Sequence, residues 1–268
     1  MKLLGVAEAE ARPYAVPALE KGLDVLELLA SQDAGRSLAE LARRLGRSPS
    51  EIFRTLVCLE RRGYVARDEG SGLYRLSLRI FELARTHTPV RALLRSAERP
   101  MQDLAETVRE SCHLSVLSGG GLLVLAQAEG PSARRLSIEV GSRHSVVHSA
   151  SGRLLLAALE SAARDRLLAR DADFRRLGAG ERKRFLGRLV RIRRLGVSVA
   201  VSETTMGVRD VAVLVGNPRA DVTAALCVPA LTGIRGRRVS IPALRAALDR
   251  CAEAITRALG LTPKEIGR

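Results

Sequence analysis

Apolar residues at three- and four-residue spacing predict a helix near the start of the chain. The helix would cover Ala18–Ala30, and its apolar face would consist of Leu19, Leu23, Leu26 and Leu29 or Ala30. Polar residues occupy most of the positions between them, as expected for a helix with only one side in a core.

Two Ser-x-x-Glu sequences follow, Ser37–Glu40 and Ser48–Glu51. In each, the serine hydroxyl can accept a hydrogen bond from the backbone amide of the glutamate, whose side chain reaches back to the serine amide. Gly46 favours a left-handed end to the first of these helices. Two short helices joined by so tight a turn are typical of a helix-turn-helix. The helix after the turn, which is the third helix of the chain, would run from Pro49 to about Arg62.

Residues after Gly63 change to strand-like alternation. Tyr64–Arg67 and Leu73–Leu76 alternate on either side of the turn Asp68–Gly72 and predict a β-hairpin, or wing. The sequence therefore predicts a winged helix-turn-helix domain over residues 14–76.

The remainder of the chain predicts a linker and a second, mixed domain. Apolar positions over Leu76–Thr86 indicate a connecting helix within a linker at residues 77–89, with Pro89 as its hinge. Residues 90–268 mix helices and strands, which gives an α+β fold class. Helices are predicted at 90–108, 152–170, 181–194 and 241–259, and strands at 113–117, 122–128, 135–140, 197–202, 208–215 and 223–229.

Composition restricts the class of protein. The 268 residues are 46% hydrophobic and 27% charged, which suits a soluble chain with two modest cores. Because apolar runs stay far short of a membrane span and the first fifteen residues lack a signal pattern, we expect a cytoplasmic protein with no membrane partner. The widely spaced Cys58, Cys112, Cys227 and Cys251 favour buried free thiols over disulfides or a zinc ribbon.

The net charge of +15 suggests nucleic acid, but its distribution is uneven. Residues 1–88 hold 14 basic and 12 acidic side chains, whereas residues 89–268 hold 30 and 17. Seven arginines against two glutamates lie within Arg43–Arg67, so we expect phosphate contacts around the third helix. The basic run Arg182–Arg194 is interpreted as the solvated face of a helix, with nonspecific DNA attraction as the second reading.

The exposed face of the third helix carries the candidate DNA contacts. Arg54 leads, because a guanidinium can take guanine O6 and N7 together or clamp a phosphate. Ser48 and Ser50 can contact a phosphate, although capping explains them equally well, and Phe53 can touch a thymine methyl or belong to the core. The full set of predicted DNA-binding residues is Arg47, Ser48, Ser50, Glu51, Phe53, Arg54 and the wing residue Arg75.

Several segments resemble the IclR family of bacterial transcriptional regulators over nearly the whole chain. They are ALEKGLDVLELLA, SLAELARRLGRSPSEIFRTLVCLERRGYV and YRLSLRIFELA in the first part, and HSASGRLLLAAL, RRLGVSVAVSETTMGVRDVAV and AALCVPA in the second. The resemblance implies a winged helix-turn-helix joined by a linker helix to a GAF-like α/β effector-binding domain, in homodimers or dimers of dimers. It further implies a regulator, with repression the expected effect, that binds double-stranded DNA at a pseudo-palindromic operator and responds to a small-molecule effector.

The same resemblance implies the effector-binding residues, which are Ser149, Ala150, Ser151, Asp210, Cys227 and Pro229. Asp210 and Pro229 stand where family members that bind small acids often carry serine or cysteine. An acidic group there would repel a carboxylate unless it is paired or protonated. An aromatic or neutral effector is therefore as good an expectation as a small acid, and ordinary packing explains each residue equally well.

Three common motifs of enzymes, GxSxG, HExxH and GxxxxGK[ST], do not occur in the sequence. His144 and His148 are four residues apart, but their segment reads as loop or strand, where such a pair would not face one metal ion. We expect no enzyme activity, no metal and no cofactor. The alternatives are a GAF-like protein with an enzymatic role, or an interaction module whose winged domain contacts proteins.

Overall fold

A computed structural model describes residues 16–32, 34–86, 88–133, 135–203, 205–217, 222–231 and 240–262. The chain divides into two compact units that meet between Thr88 and Pro89. We call them the winged unit, up to Thr88, and the sheet unit, from Pro89 onward.

Three helices form most of the winged unit: α1 (Pro17–Ala30), α2 (Leu38–Leu45) and α3 (Pro49–Arg61). Both predicted capping boxes are present, since Ser37 and Ser48 each accept a hydrogen bond from the backbone amide of the glutamate three residues on. Gly46 ends α2 with φ of 62°, the left-handed conformation that glycine adopts without strain. The short α2–α3 turn therefore follows from local chemistry.

A hairpin completes this unit. Strands β1 (Val65–Arg67) and β2 (Tyr74–Leu76) pair antiparallel, and Arg36 bridges to Tyr74 beside them. Apolar side chains from all three helices and both strands fill one core; its buried members are Val25, Leu29, Leu41, Ala42, Ile52, Leu56, Val65 and Tyr74. The predicted winged helix-turn-helix is confirmed.

Two helices follow, α4 (Arg79–Thr86) and α5 (Thr88–Val108). The predicted connecting helix from Leu76 begins too early, because Leu76 still pairs with Val65 in the hairpin. Pro89 lies in the first turn of α5, where its missing amide hydrogen removes no intrahelical bond.

A six-stranded antiparallel sheet organises the sheet unit, in the order β5-β4-β3-β8-β7-β6. Its strands are β3 (Cys112–Ser118), β4 (Gly121–Ala128), β5 (Arg143–His144), β6 (Val197–Val201), β7 (Val208–Asn217) and β8 (Val222–Leu231). Its helices after α5 are α6 (Ala150–Ala158), α7 (Ser161–Arg170), α8 (Ala172–Arg176), α9 (Ala179–Leu195) and α10 (Ile241–Ala258).

Both faces of this sheet are covered. Leu114, Val213 and Leu226 pack on one face in a core with α5 and α10. Ala212 and Cys227, which alternate with them, pack on the other face with α6 and α9. Strand β8 is therefore buried along most of its length, as expected for a strand covered on both sides. The α+β organisation predicted from the sequence is confirmed.

Two local predictions are wrong, and one short helix is missing from the prediction. The single helix at 152–170 is interrupted, because Leu159 and Glu160 adopt extended backbone between α6 and α7. Residues 135–140 form no strand, and the paired strand in this region is β5. The short helix α8 was not predicted, since five residues carry too little periodicity.

The cysteine prediction is also partly wrong. Cys112, Cys227 and Cys251 are buried free thiols, but Cys58 is exposed. Position 58 lies on the side of α3 that faces away from the buried Ile52 and Leu56.

Two helical glycines give a matched test of the sheet unit's packing. A Cβ on Gly152 would lie 2.4 Å from Val146 Cα, whereas a Cβ on Gly187 meets no atom within 4 Å. We expect Gly152→Ala to destabilise the protein by about 1–3 kcal/mol through overpacking, and Gly187→Ala to stabilise it by about 0.5–1 kcal/mol. Urea unfolding followed by circular dichroism measures both; shifts of the same sign would contradict this packing.

Candidate functional site

The outward face of α3 is the first candidate site. Ser50, Phe53, Arg54 and Val57 project from it, while the opposite face buries Ile52 and Leu56 in the core. The phenyl ring of Phe53 is 47% exposed, which removes the alternative that it belongs to the core. A single helix with one such free side fits the width of a DNA major groove.

Arg54 and Arg47 are both exposed here. Among the described residues, neither guanidinium has a carboxylate partner within ion-pair distance. An unpaired guanidinium keeps all its donors for phosphate oxygens or for the edge of a guanine.

Glu51 has a structural task at the start of α3. Its carboxylate accepts hydrogen bonds from the Ser48 hydroxyl (2.9 Å) and the Ser48 amide (3.3 Å), and Lys21 Nζ on α1 lies 3.2 Å away. The bonds from Ser48, followed by Lys21, lower the pKa of Glu51 to about 2. Ser50 lies beside this cap, with its hydroxyl 3.3 Å from that of Ser48. Glu51 and Ser48 thus fix α3 on α1, and their DNA contacts stay predictions.

Arg75 lies on the wing and is paired within it. Its Nη2 is 3.0 Å from Asp68 Oδ2, and the same carboxylate accepts hydrogen bonds from the Ser71 amide and hydroxyl. The bonds from Ser71, more than the charge of Arg75, lower the pKa of Asp68. The wing turn is therefore preorganised, and a phosphate would compete with Asp68 for Arg75.

The second candidate site is a cavity of about 420 Å³ in the sheet unit. All six residues that the resemblance implied line it: Ser149, Ala150, Ser151, Asp210, Cys227 and Pro229. Other lining residues were not singled out from the sequence as pocket residues, among them His113, Glu139, Ser145, His148 and Ser202. The alternation of β3 could have suggested His113, but only the register of β3 with β8 shows what it faces.

Strand register builds the floor of the cavity. His113 pairs with Cys227 across β3 and β8, and Cys227 pairs with Ala212 across β8 and β7. Directly opposed residues share a face, so these three form one row. Asp210 and its partner Pro229 lie two residues further along the same face. The start of α6 packs over this row through Ser149, Ala150 and Ser151.

His113 is the deeply buried histidine of this floor. The residue is 6% exposed, and its Nδ1 has no hydrogen-bond partner in the described part of the chain. Burial, with a smaller effect from the charge of His144, lowers the pKa of His113 to about 4. The imidazole is therefore neutral at physiological pH.

Asp210 and Cys227 also titrate abnormally. Burial raises the pKa of the Asp210 carboxyl, and the positive charge of Arg153 opposes this only in part. Burial, together with the negative charge of Asp210, raises the pKa of the Cys227 thiol, which stays protonated. Cys227 is thus a small apolar wall residue rather than a nucleophile.

A buried guanidinium holds one side of the cavity together. Arg153 on α6 is 2% exposed; its Nε donates to the Val147 carbonyl (2.8 Å), and its Nη2 donates to the His148 carbonyl (2.9 Å) and to Glu203. Glu203 follows β6 and also binds His148 Nδ1 at 2.7 Å. Arg153 therefore ties the segment after β6 to the turn before α6.

The charges in this network explain the state of Glu203. Burial raises the pKa of its carboxyl, but hydrogen bonds from His148 and Arg153, with their charges, outweigh burial and lower the pKa overall. Glu203 is therefore ionised at neutral pH and compensates the buried Arg153.

Gln127 on β4 shapes the opposite wall. Its Nε2 donates to Ser137 Oγ (2.7 Å), and its Oε1 accepts from the Ile138 amide (2.6 Å). Residues 135–140, for which a strand is predicted, form no strand in the structure, and these two bonds link the segment to β4. Leu136 and Ile138 consequently face the cavity.

Other site classes find little support in the described part of the chain. No group of three or more His, Cys, Asp or Glu side chains there is arranged to hold a metal ion. The two histidines have different partners, since His144 bonds to Ser142 and His148 bonds to Glu203. Each described helix is too short or too polar to span a membrane.

A winged helix-turn-helix with a free, unpaired reading face, and a second unit with a cavity, define the class: a DNA-binding protein with a separate ligand-sized cavity. Comparison with known proteins makes this specific. Residues 86–257 match the C-terminal domain model of bacterial IclR transcriptional regulators, and residues 18–69 match the IclR helix-turn-helix domain. The chain belongs to the IclR family, and it is an HTH-type transcriptional regulator.

Similar proteins agree. The regulator XynR of Escherichia coli (strain K12) is 27% identical over 91% of this chain and 98% of its own length. The glycerol operon regulatory protein of Streptomyces coelicolor is 28% identical over 91% and 97%. An IclR homologue of Microbacterium hydrocarbonoxydans, solved with 4-hydroxybenzoate, shares the fold with a TM-score of 0.76 at 23% identity, covering 91% of this chain and 99% of its own.

The buried His113 makes acid stability testable. Its pKa falls from 6.5 to about 4 on folding, so the unfolded chain takes up the proton first. The contribution of the neutral His113 to the free energy of unfolding is therefore complete above pH 6.5. It declines by roughly 3 kcal/mol as the pH falls toward 4. We expect the His113→Gln variant to lack this loss of stability at acidic pH. The exposed control, His144→Gln, should still show most of it.

The measurement is urea unfolding at a series of pH values across that window. Each variant is compared with its own stability at neutral pH, which cancels any general loss caused by the substitution. An unchanged pH profile in His113→Gln would show that this imidazole is not buried and neutral in the folded protein.

Proposed function

We propose that this regulator binds a pseudo-palindromic operator as a dimer or a dimer of dimers, in the cytoplasm and as a repressor, and that a small molecule in the sheet-unit cavity modulates its DNA affinity. The observation that carries the proposal is the convergence of the six implied effector residues on one cavity. A solved IclR homologue with 4-hydroxybenzoate bound supports a small-molecule ligand. The names of similar proteins, all regulators, weigh against an enzyme.

In this proposal, α3 reads the DNA sequence. Arg54 projects from the centre of its outward face, with Ser50 one turn before it and Val57 about one turn after. The wing, stiffened by Asp68 and Ser71, would reach the flanking phosphates with Arg75. Base contacts from Arg54 then give sequence preference, and phosphate contacts give most of the affinity.

Self-association falls to the apolar surface around α4. Leu78 is 75% exposed, and Phe81 and Leu83 are also exposed within the same short stretch. A second copy of the chain would remove this surface from water. Two copies related by a two-fold axis would place two α3 helices in successive major grooves, which is the basis for a palindromic operator.

Regulation requires that the effector bind the DNA-competent and DNA-incompetent arrangements with different affinity. By linkage, operator DNA must then change the affinity for the effector by the same factor. The proposal therefore joins the two sites through one coupling free energy.

Selection of DNA fragments from a random-sequence pool by the full chain tests the DNA part. We expect enrichment of one motif made of two inverted half-sites, with affinity that falls steeply as salt rises. Lack of any enriched sequence would contradict the proposal, and salt-insensitive protein binding would favour the interaction module instead.

Arg54→Ala tests the reading face. We expect it to weaken binding to the selected operator by about 1–3 kcal/mol per half-site while leaving thermal unfolding unchanged. The matched control Arg191→Ala, on the exposed side of α9, should leave operator affinity unchanged. Fluorescence anisotropy with labelled operator measures both, and equal affinities of wild type and Arg54→Ala would remove Arg54 from the interface.

Leu78→Glu tests self-association. A carboxylate at position 78 would lose its hydration if a second copy of the chain covered this surface. We therefore expect light scattering to give a smaller mass for the variant, and operator affinity to fall by more than about tenfold. The control Val190→Glu introduces the same charge at a 66% exposed aliphatic residue of α9 and should change neither. A wild-type mass retained by Leu78→Glu would place the interface elsewhere.

A further inference from the structure

No lysine or arginine matches the carboxyl groups in the described lining of the cavity. Asp210 on the floor and Glu139 at the wall both line it, and the described lining contains no lysine and no arginine. Histidine supplies the remaining ionisable groups, of which the buried His113 is neutral. An anionic ligand would therefore meet no lysine ammonium and no arginine guanidinium among these residues.

The guanidinium of Arg153, whose charge acts on Asp210, already has partners within the protein. Arg153 lies behind the cavity wall and donates to two backbone carbonyls and to the carboxylate of Glu203. Arg209 adjoins Asp210 on β7, but successive strand residues project to opposite faces, and its side chain is exposed. Neither guanidinium is therefore available to a carboxylate inside the cavity.

The polar groups of the cavity suit hydroxyls. Six serines and one threonine line it, and each hydroxyl can both donate and accept. His113 is 94% buried and lines the cavity, with an Nδ1 that lacks a partner in the described part of the chain. A buried polar atom left unpaired is costly, so a ligand hydroxyl at this position would satisfy it.

The start of α6 is a feature of the described lining that favours an anion. Its partial positive charge comes from backbone dipoles and amounts to about half a unit charge. Asp210 carries a full negative charge when ionised, on the floor over which this helix start packs. The carboxylate therefore opposes an anion more strongly than the helix end attracts one.

We infer that the cavity selects an uncharged, hydroxyl-bearing small molecule over its anionic counterpart, and that Asp210 is the specificity-determining residue that imposes this choice. The inference rests on the proposed ligand-binding role of the cavity. Apolar walls from Leu122, Leu136, Ile138 and Val208 hold the carbon skeleton, while His113 and Asp210 accept hydrogen bonds from its hydroxyl groups.

Two matched series of probes test the choice. One is 4-hydroxybenzyl alcohol, 4-hydroxybenzoate and 4-hydroxybenzylamine; the other is sorbitol, gluconate and glucamine. Each series keeps its skeleton and changes the terminal group from neutral to anionic to cationic. Saturation-transfer NMR and calorimetry on the full wild-type chain at neutral pH give the affinities.

We expect the neutral member of at least one series to bind more than about tenfold tighter than its carboxylate. A carboxylate that binds as tightly or more tightly overturns the inference. Tightest binding of an amine overturns it too, because the selection would then be for positive charge. Binding of no probe at millimolar concentration also overturns it.

Asp210→Asn and Asp210→Ser then test the residue itself. Both remove the negative charge, and we expect the affinity for the carboxylate to rise by about tenfold while the affinity for the alcohol changes little. Glu160→Gln makes the same change of charge at the start of α7, away from the cavity, and should leave the ratio unchanged. Unchanged ratios in both folded Asp210 variants would contradict the assignment.

The same samples separate this inference from the proposed function. A neutral probe that binds in the cavity without altering operator affinity leaves the inference standing and contradicts the regulatory proposal. A carboxylate probe that binds tightly and releases the operator supports the regulatory proposal and contradicts the inference.

Discussion

The buried guanidinium of Arg153 is the interaction on which the cavity depends. A charge removed from water is tolerated only when its donors are all satisfied and an opposite charge lies close by. Here the carbonyls of Val147 and His148 accept hydrogen bonds from Arg153 Nε and Nη2, and the carboxylate of Glu203 supplies the opposite charge. These partners come from the turn before α6 and the segment after β6, so the need to satisfy one cation fixes two walls of the cavity at once.

The floor has a different physical origin. Coverage of both faces of the sheet buries most side chains of the central strands, including polar ones such as His113 and Ser115. His113 and Asp210 therefore lie where water would normally be excluded, and both pKa values shift toward the neutral form for that reason. Both groups line the cavity, so a ligand bound there can form hydrogen bonds with them.

Sequence and structure agree best where the determinants are local. The capping boxes at Ser37 and Ser48 and the glycine turn at Gly46 are each fixed by residues within a few positions, and the winged unit was predicted nearly element by element. The break after Leu159 and the unpaired segment held by Gln127 depend on tertiary contacts, which periodicity does not record. The burial of Arg153 is likewise invisible in a sequence where arginine is the common basic residue.

The proposed regulation requires coupling between the cavity and the DNA-reading face, which hydrogen exchange tests without knowledge of the effector. Exchange of backbone amides is compared for the full chain alone and bound to its selected operator. Coupling predicts altered protection at residues 145–153 and 205–210 around the cavity, in addition to the DNA-binding helices. Protection that changes only within residues 16–86 would contradict the claim.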